Sequence, residues 1–173
     1  MNGCIFHKRG FTLLEVIVSL LLVGVVTAVI GLSSYHMVNS FVFAQKNADT
    51  LLKGQVAIAR MVKELNNVKK VYVASTSGTQ ITFASYRDGG ETAHALSRSG
   101  ANLLFDGITL SDQVGSFSLV YYDAAGGSPQ TTWSASSRII EINLVLTGAE
   151  NTPAAFSARV APSFDVSIVP PGT

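Results

Sequence analysis

Cysteine and charged residues are scarce in this chain of 173 residues. The single cysteine, Cys4, excludes a disulfide framework and a cysteine-based metal cage within one chain. Charged residues make up 13% of the chain, whereas they are about a quarter of an ordinary soluble domain. The net charge is +1, so the basic excess expected of a nucleic-acid binder is missing and no specific nucleic-acid partner is evident. Because 47% of the residues are hydrophobic, we expect part of the chain to lie in lipid or in a protein interface.

Residues 11–32 form a long apolar run with one charge, Glu15. Its Phe, Leu, Ile and Val residues favour membrane insertion by roughly 5 to 9 kcal/mol, whereas one acid costs about 3 kcal/mol. A helix of this length would be about 33 Å long, close to the hydrocarbon thickness of a bilayer. Lys8 and Arg9 precede the run. The positive-inside rule therefore predicts a single-pass anchor in the inner membrane lipid, with the N-terminus in the cytoplasm.

Ordinary export signals explain the run less well. A secretory signal peptide has a shorter apolar region, of about 7–15 residues, and no acid near its start. A lipoprotein signal would place its cysteine after the apolar run, whereas Cys4 precedes it. A plain signal anchor remains open, but it does not explain Glu15.

The junction Lys8-Arg9-Gly10-Phe11, with Glu15 four residues further on, resembles the start of a known class of filament proteins. It is similar to the leader and N-terminal helix of type IV pilins and of the pseudopilins of type II secretion. The resemblance implies that prepilin peptidase cuts between Gly10 and Phe11 and then N-methylates Phe11. Lys8 and Arg9 would hold the scissile bond at the cytoplasmic surface of the membrane.

Glu15 is the candidate residue for assembly register. Cleavage after Gly10 would create an ammonium group on Phe11, and residues four apart lie on one face of a helix. A carboxylate in lipid needs a partner. The resemblance implies that Glu15 pairs with the Phe11 ammonium of a neighbouring pilin or pseudopilin subunit. The alternatives are that Glu15 is protonated or pairs with its own terminus.

The rest of the chain predicts an α+β fold, with the long N-terminal helix packed on a C-terminal antiparallel β-sheet headpiece. No proline precedes Pro129, so the helix can continue to about Asn67. An apolar stripe predicts that its second half is amphipathic and packs on the sheet; the stripe comprises Met37, Ala44, Leu51, Ile58 and Leu65, with Phe41, Ala48 and Val62 between them. A coiled-coil seam is an alternative that Gln55 makes weaker.

The later sequence has strand and turn signals. Residues 138–147 are the clearest strand, and its inward side comprises Ile140, Ile142, Leu144 and Leu146. The predicted organisation is a leader at 1–10, a transmembrane helix at 11–32, an amphipathic helix at 33–67, a β-rich headpiece at 68–165 and a flexible tail at 166–173.

No set of catalytic residues, cofactor ligands or metal ligands is visible, so we do not expect an enzyme. His94 is interpreted as a surface residue in or near a turn. Trp133 lies in a polar loop and is the residue to test for ligand binding, although an aromatic residue there more often packs over the sheet.

The sequence as a whole predicts a structural subunit of a type IV pilus or a type II secretion pseudopilus. The segment at 103–122 broadly resembles a stretch in minor pilins and minor pseudopilins, which favours a minor subunit. A tip-located binding module for adhesion or DNA uptake is the alternative, and a membrane-anchored enzyme is a third.

We predict that the mature chain begins at Phe11 and carries a methyl group on that amino terminus. Mass spectrometry of the N-terminal peptide tests this directly. A chain that still begins at Met1 in a strain with active prepilin peptidase would contradict the interpretation.

Overall fold

The computed structural model describes residues 11–87, 90–162 and 166–170. The predicted leader, with Lys8, Arg9 and Gly10, lies outside these residues. The chain divides into two compact units, Met1–Ala44 and Gln45–Thr173. A helix of 54 residues, α1, runs from Leu13 to Asn66, close to the predicted end at Asn67. The predicted α+β class is confirmed.

Nine strands follow the helix in the described part of the chain. They are β1 (Val68–Tyr72), β2 (Gln80–Arg87), β3 (Gly90–Ser99), β4 (Asn102–Phe105), β5 (Ile108–Ser111), β6 (Val114–Tyr122), β7 (Ile139–Thr147), β8 (Pro153–Val160) and β9 (Ser167–Val169). Short helical turns of the 3₁₀ type lie at Val73–Ser75 and Ala149–Asn151.

The strands form two sheets rather than one. The larger sheet has the order β5-β4-β3-β2-β1-β9, and the smaller has the order β6-β7-β8. Neighbouring strands pair antiparallel, with the exception of β1 and β9, which are parallel. A parallel pair needs a long connection, and here most of the headpiece lies between the two strands.

The tail contains more structure than the sequence indicated. Residues 166–173 were expected to be a flexible tail, but Ser167–Val169 form the edge strand β9. The hydroxyl of Ser167 donates to the carbonyl of Lys69 at 3.2 Å, and Ile168 is the register partner of Val71. A strand of three residues is too short to show alternating hydrophobicity in the sequence. It forms because the edge of β1 offers backbone groups with which it can pair.

The alternation in β7 is confirmed. Its inward residues, Ile140, Ile142, Leu144 and Leu146, are fully buried. Because β7 is the central strand of the smaller sheet, these side chains join a core that also includes residues of α1 and of the larger sheet.

The helix meets the sheets through part of the predicted stripe and through residues beside it. Leu65 is buried and Ile58 packs against the core, as predicted. The buried residues in its last part include Thr50, Gly54, Ala57, Met61 and Leu65. Leu51, which belongs to the predicted stripe, is instead 47% exposed. The cause is a close approach at Gly54, where the ring of Phe156 on β8 occupies the space of a side chain. An apolar stripe in a sequence cannot show that a glycine is the contact point.

We predict that Gly54→Ala lowers the free energy of unfolding by about 1–3 kcal/mol, because the added Cβ overlaps the ring of Phe156. Urea unfolding of the detergent-solubilised chain, followed by Trp133 fluorescence, measures the change. Gly24→Ala is the matched control, since no atom lies within 4 Å of a Cβ there. Adding Phe156→Leu should restore part of the loss, and a Gly54→Ala chain as stable as wild type would contradict the packing.

Candidate assembly site

The N-terminal part of α1 is uncovered by the other residues that the structure describes. Every side chain from residue 11 to residue 46 is exposed, and Phe11 is 82% exposed. Among the described residues, α1 is the one helix long and apolar enough to cross a membrane, with a mean hydropathy of 2.8 in its most apolar window. An apolar surface of this size requires lipid or protein around it.

Thr12 and Glu15 build the start of the helix. The Glu15 N–H donates to the Thr12 carbonyl at 3.0 Å and to its Oγ1 at 3.3 Å, so Thr12 caps the first turn. Glu15 lies in that turn, where the positive end of the helix dipole favours a carboxylate. Phe11 precedes the helix, because α1 begins at Leu13. The rule that residues four apart share a helix face therefore does not apply to Phe11 and Glu15, because Phe11 is not part of the helix.

Four hydroxyl groups in the N-terminal part of α1 are satisfied within the helix. Each donates to the backbone carbonyl four residues earlier, over 2.7–2.9 Å; the donors are Ser19, Thr27, Ser33 and Ser34. Such bonds let hydroxyl side chains lie in an apolar environment without a further partner. The Glu15 carboxylate differs, since within the described residues it has no hydrogen-bond or ionic partner. It is the polar side chain of this run that needs a donor from elsewhere.

Trp133 does not supply an exposed binding anchor. Its side chain is 2% exposed and meets the ring of Tyr121 edge-on, with 5.8 Å between ring centres. The backbone N–H of Trp133 donates to Thr76 Oγ1 at 3.4 Å, and Gln130 pairs with Tyr121 through two backbone hydrogen bonds of 2.9 Å. These contacts fold the polar loop back over the sheet, so the binding interpretation of Trp133 is wrong and the packing alternative is correct. Burial raises the pKa of Tyr121.

His94 is also placed differently from the prediction. It lies within β3, and its ring stacks on Phe105 with 5.3 Å between ring centres. Its Nδ1 lies 2.7 Å from Oδ2 of Asp106, and the other carboxylate oxygen accepts the N–H of Ala95 at 2.8 Å. The interpretation as a surface residue in a turn is therefore wrong. Side chains alternate between the two faces of a strand, and His94 lies on the face of β3 that contacts Phe105.

Several charged groups of the headpiece form ion pairs near its surface. Glu141 accepts a hydrogen bond from Asn143 at 3.1 Å and another from Nε of Arg159 at 2.6 Å. These two donors lower the pKa of the Glu141 carboxyl. Lys70 donates a hydrogen bond to Glu91, and this bond stabilises the charged ammonium group and raises the pKa of Lys70. Within the residues that the structure describes, no group of three or more His, Cys, Asp or Glu side chains could hold a metal ion.

Comparison with known proteins supports the N-terminal site. Residues 5–31 match the family model described as the prokaryotic N-terminal methylation motif. No curated protein and no solved structure matches the chain. The match spans Gly10, Phe11 and Glu15, and it confirms the resemblance drawn from the junction. With the apolar helix, it is consistent with anchoring in the inner membrane before assembly.

The burial of Trp133 makes a further prediction. Because its side chain is 2% exposed, we expect iodide to quench the fluorescence of the folded chain poorly. Quenching should rise several-fold on unfolding in urea. Strong quenching in the folded chain would contradict the placement of the loop.

Proposed function

We propose that this chain, which carries a motif characteristic of type IV pilins and pseudopilins, is a structural subunit of a type IV pilus or a type II secretion pseudopilus. Prepilin peptidase removes residues 1–10 on the cytoplasmic side and N-methylates Phe11. The mature subunit is anchored in the inner membrane and is then incorporated into a filament by packing of its N-terminal helix. The motif at residues 5–31 is the observation that carries this proposal.

The exposure of α1 supports assembly through the helix. Residues 11–46 have no covering surface within the described part of the chain, yet most of their long side chains are apolar. Lipid can cover about 20 residues of such a helix before assembly. In a filament, the corresponding surfaces of neighbouring helices replace the lipid.

Glu15 is the residue that gives this packing a register. Its carboxylate has no partner within the described residues, and removal of the leader creates an ammonium group on every subunit. An unpaired charge in an apolar environment costs several kcal/mol, so the pair of Glu15 and a neighbour's Phe11 forms at one axial position. A subunit shifted along the filament would leave both charges unpaired.

We assign the chain to the minor class on its sequence. The segment at 103–122, which resembles a stretch in minor subunits, folds as β4, β5 and β6. Removal of the leader also removes Cys4, so the mature chain has no cysteine for the C-terminal disulfide loop that the family resemblance associates with many major pilins.

The alternative of a tip-located binding module is less well supported. Its predicted ligand-binding loops are those at 87–92 and 123–137, and the residue chosen to test it, Trp133, is buried. No other residue in the described loops combines an exposed aromatic ring with a site for a ligand. The structural role is therefore the better-supported function.

We predict that Glu15→Ala leaves cleavage and membrane insertion intact but reduces incorporation into filaments about tenfold or more. The reason is that the Phe11 ammonium of the neighbour would be buried without its partner. Immunoblots of sheared filaments and of membranes measure the two quantities separately.

Two further variants sharpen this experiment. Glu15→Gln keeps the size of the side chain and should fail in the same way, because it lacks the charge. Ser19→Ala is the matched control, since the Ser19 hydroxyl is satisfied within its own helix, and it should assemble normally. Normal assembly of both Glu15 variants would contradict the proposed register.

A further inference from the structure

The outer edge of β8 is a long strand edge that the headpiece leaves unpaired. Within the described residues, β8 pairs with β7 on one side and with no strand on the other. It has eight residues, Pro153–Val160, and it pairs with β7 without a register shift, so no bulge breaks the edge. Its single charge belongs to Arg159, which pairs with Glu141 at 2.6 Å. Proteins usually protect such an edge with charges, bulges or short length, because an unprotected edge is a template for another strand.

The other outer edges of the two sheets are short or covered. The N–H of Leu119 on β6 donates to the carbonyl of Gly78 at 2.8 Å, and Tyr121 exchanges two backbone hydrogen bonds with Gln130. At the two ends of the larger sheet, β5 has four residues and β9 has three. Among the described strands, β8 therefore combines a long outer edge with the lack of a covering segment.

The backbone groups on this edge suit an extended partner. In the β7–β8 hairpin the N–H of Gly148 donates to the carbonyl of Thr152 at 2.7 Å, and bonded pairs recur at every second residue of an antiparallel ladder. The even-numbered residues of β8 therefore bond to β7. The odd-numbered residues direct their N–H groups away from β7 and are all exposed; these residues, the outward set, are Ala155, Ser157 and Arg159. A helix uses its own backbone groups internally, whereas an extended strand can bond to this set.

An apolar cavity beside the edge sets the chemistry of the partner. The cavity has a volume of about 250 Å³ and lies between α1 and the start of β8. Its apolar lining includes Leu51, which the packing of α1 leaves 47% exposed, together with Pro153 and Ala154. Side chains of an added strand alternate between the two faces of the sheet, so every second one lies on the Ala154 side. An aliphatic side chain suits this cavity, whereas a charged one would lose its water against an apolar wall.

We propose that β8 accepts an extended, uncharged segment of a neighbouring subunit's headpiece as the fourth strand of the smaller sheet, with an aliphatic side chain in the cavity. This proposal rests on the proposed function and names a contact that is made by backbone hydrogen bonds, not by helix packing. Assembly through the helices brings headpieces together at high local concentration, so a neighbour's strand is the partner that β8 meets. Main-chain bonds supply the affinity, and the cavity selects the side chain.

Hydrogen exchange tests the proposal at the backbone. The amides of the outward set should exchange fast in the detergent-solubilised chain and at least about tenfold more slowly in filaments, because strand addition bonds every second amide. The amides of the even-numbered residues of β8, which bond to β7, should be slow in both states and are the internal control. Mass spectrometry with electron-transfer fragmentation resolves the individual amides.

The outcomes separate this proposal from the function on which it rests. If the wild-type chain is neither processed nor found in filaments, the proposed function fails and this proposal fails with it. If the chain enters filaments but the outward set exchanges as fast as in detergent, this proposal alone is overturned.

A proline on the edge gives a matched pair of variants. Ala155→Pro removes one outward N–H and no bond to β7, so the unfolding midpoint should stay close to that of wild type while incorporation into filaments falls about tenfold. Ala155→Ser keeps the N–H and should be incorporated normally. Equal incorporation of the two variants, or equal loss of both, would overturn the proposal. The exchange measurement uses the wild-type chain and decides the question if Ala155→Pro unfolds the headpiece.

Photo-crosslinking identifies the occupant. A benzoylphenylalanine at position 157 in intact filaments should give a product whose partner peptide lies in an extended segment of another headpiece. The same group at position 92, which is exposed on β3 between two paired strands, is the control and should give no such product. A product at position 157 with lipid, or with the N-terminal helix of another subunit, would contradict the proposed occupant and overturn the proposal.

Discussion

The structure depends on one constraint: no other described residue covers the apolar N-terminal part of α1 or pairs with the one carboxylate there, Glu15. The side chains of residues 11–46 are all exposed, and Glu15 has no partner within the described residues. The nearby serine and threonine hydroxyls bond to their own helix, which leaves the charge as the unmet requirement. A new amino terminus on a neighbouring subunit would supply what is missing. In the proposed function, lipid covers this helix before assembly and neighbouring helices cover it in the filament.

The headpiece gives the last part of α1 a fixed place. Gly54 admits the ring of Phe156, and Lys53 pairs with Asp112. These contacts hold the helix against both β8 and the segment that joins β5 to β6.

Strong local signals made much of this architecture predictable. The junction from Lys8 to Glu15 identified the motif, and the alternation in β7 identified its buried face. Contacts that depend on the whole fold were not predictable. Trp133 is surrounded by polar residues in the sequence and is buried by distant partners, while β9 is too short to show a period. At Gly54 the decisive contact is made by a residue with no side chain.

The most direct test of the central claim is a zero-length coupling of carboxyl to amino groups with a hydrophobic carbodiimide. Filaments should be assembled from a mixture of subunits labelled with heavy and light nitrogen. The account predicts a peptide pair joining Glu15 to Phe11 in which one partner is heavy and the other light. Coupling confined to pairs of a single isotope, or no coupling at Glu15, would contradict it.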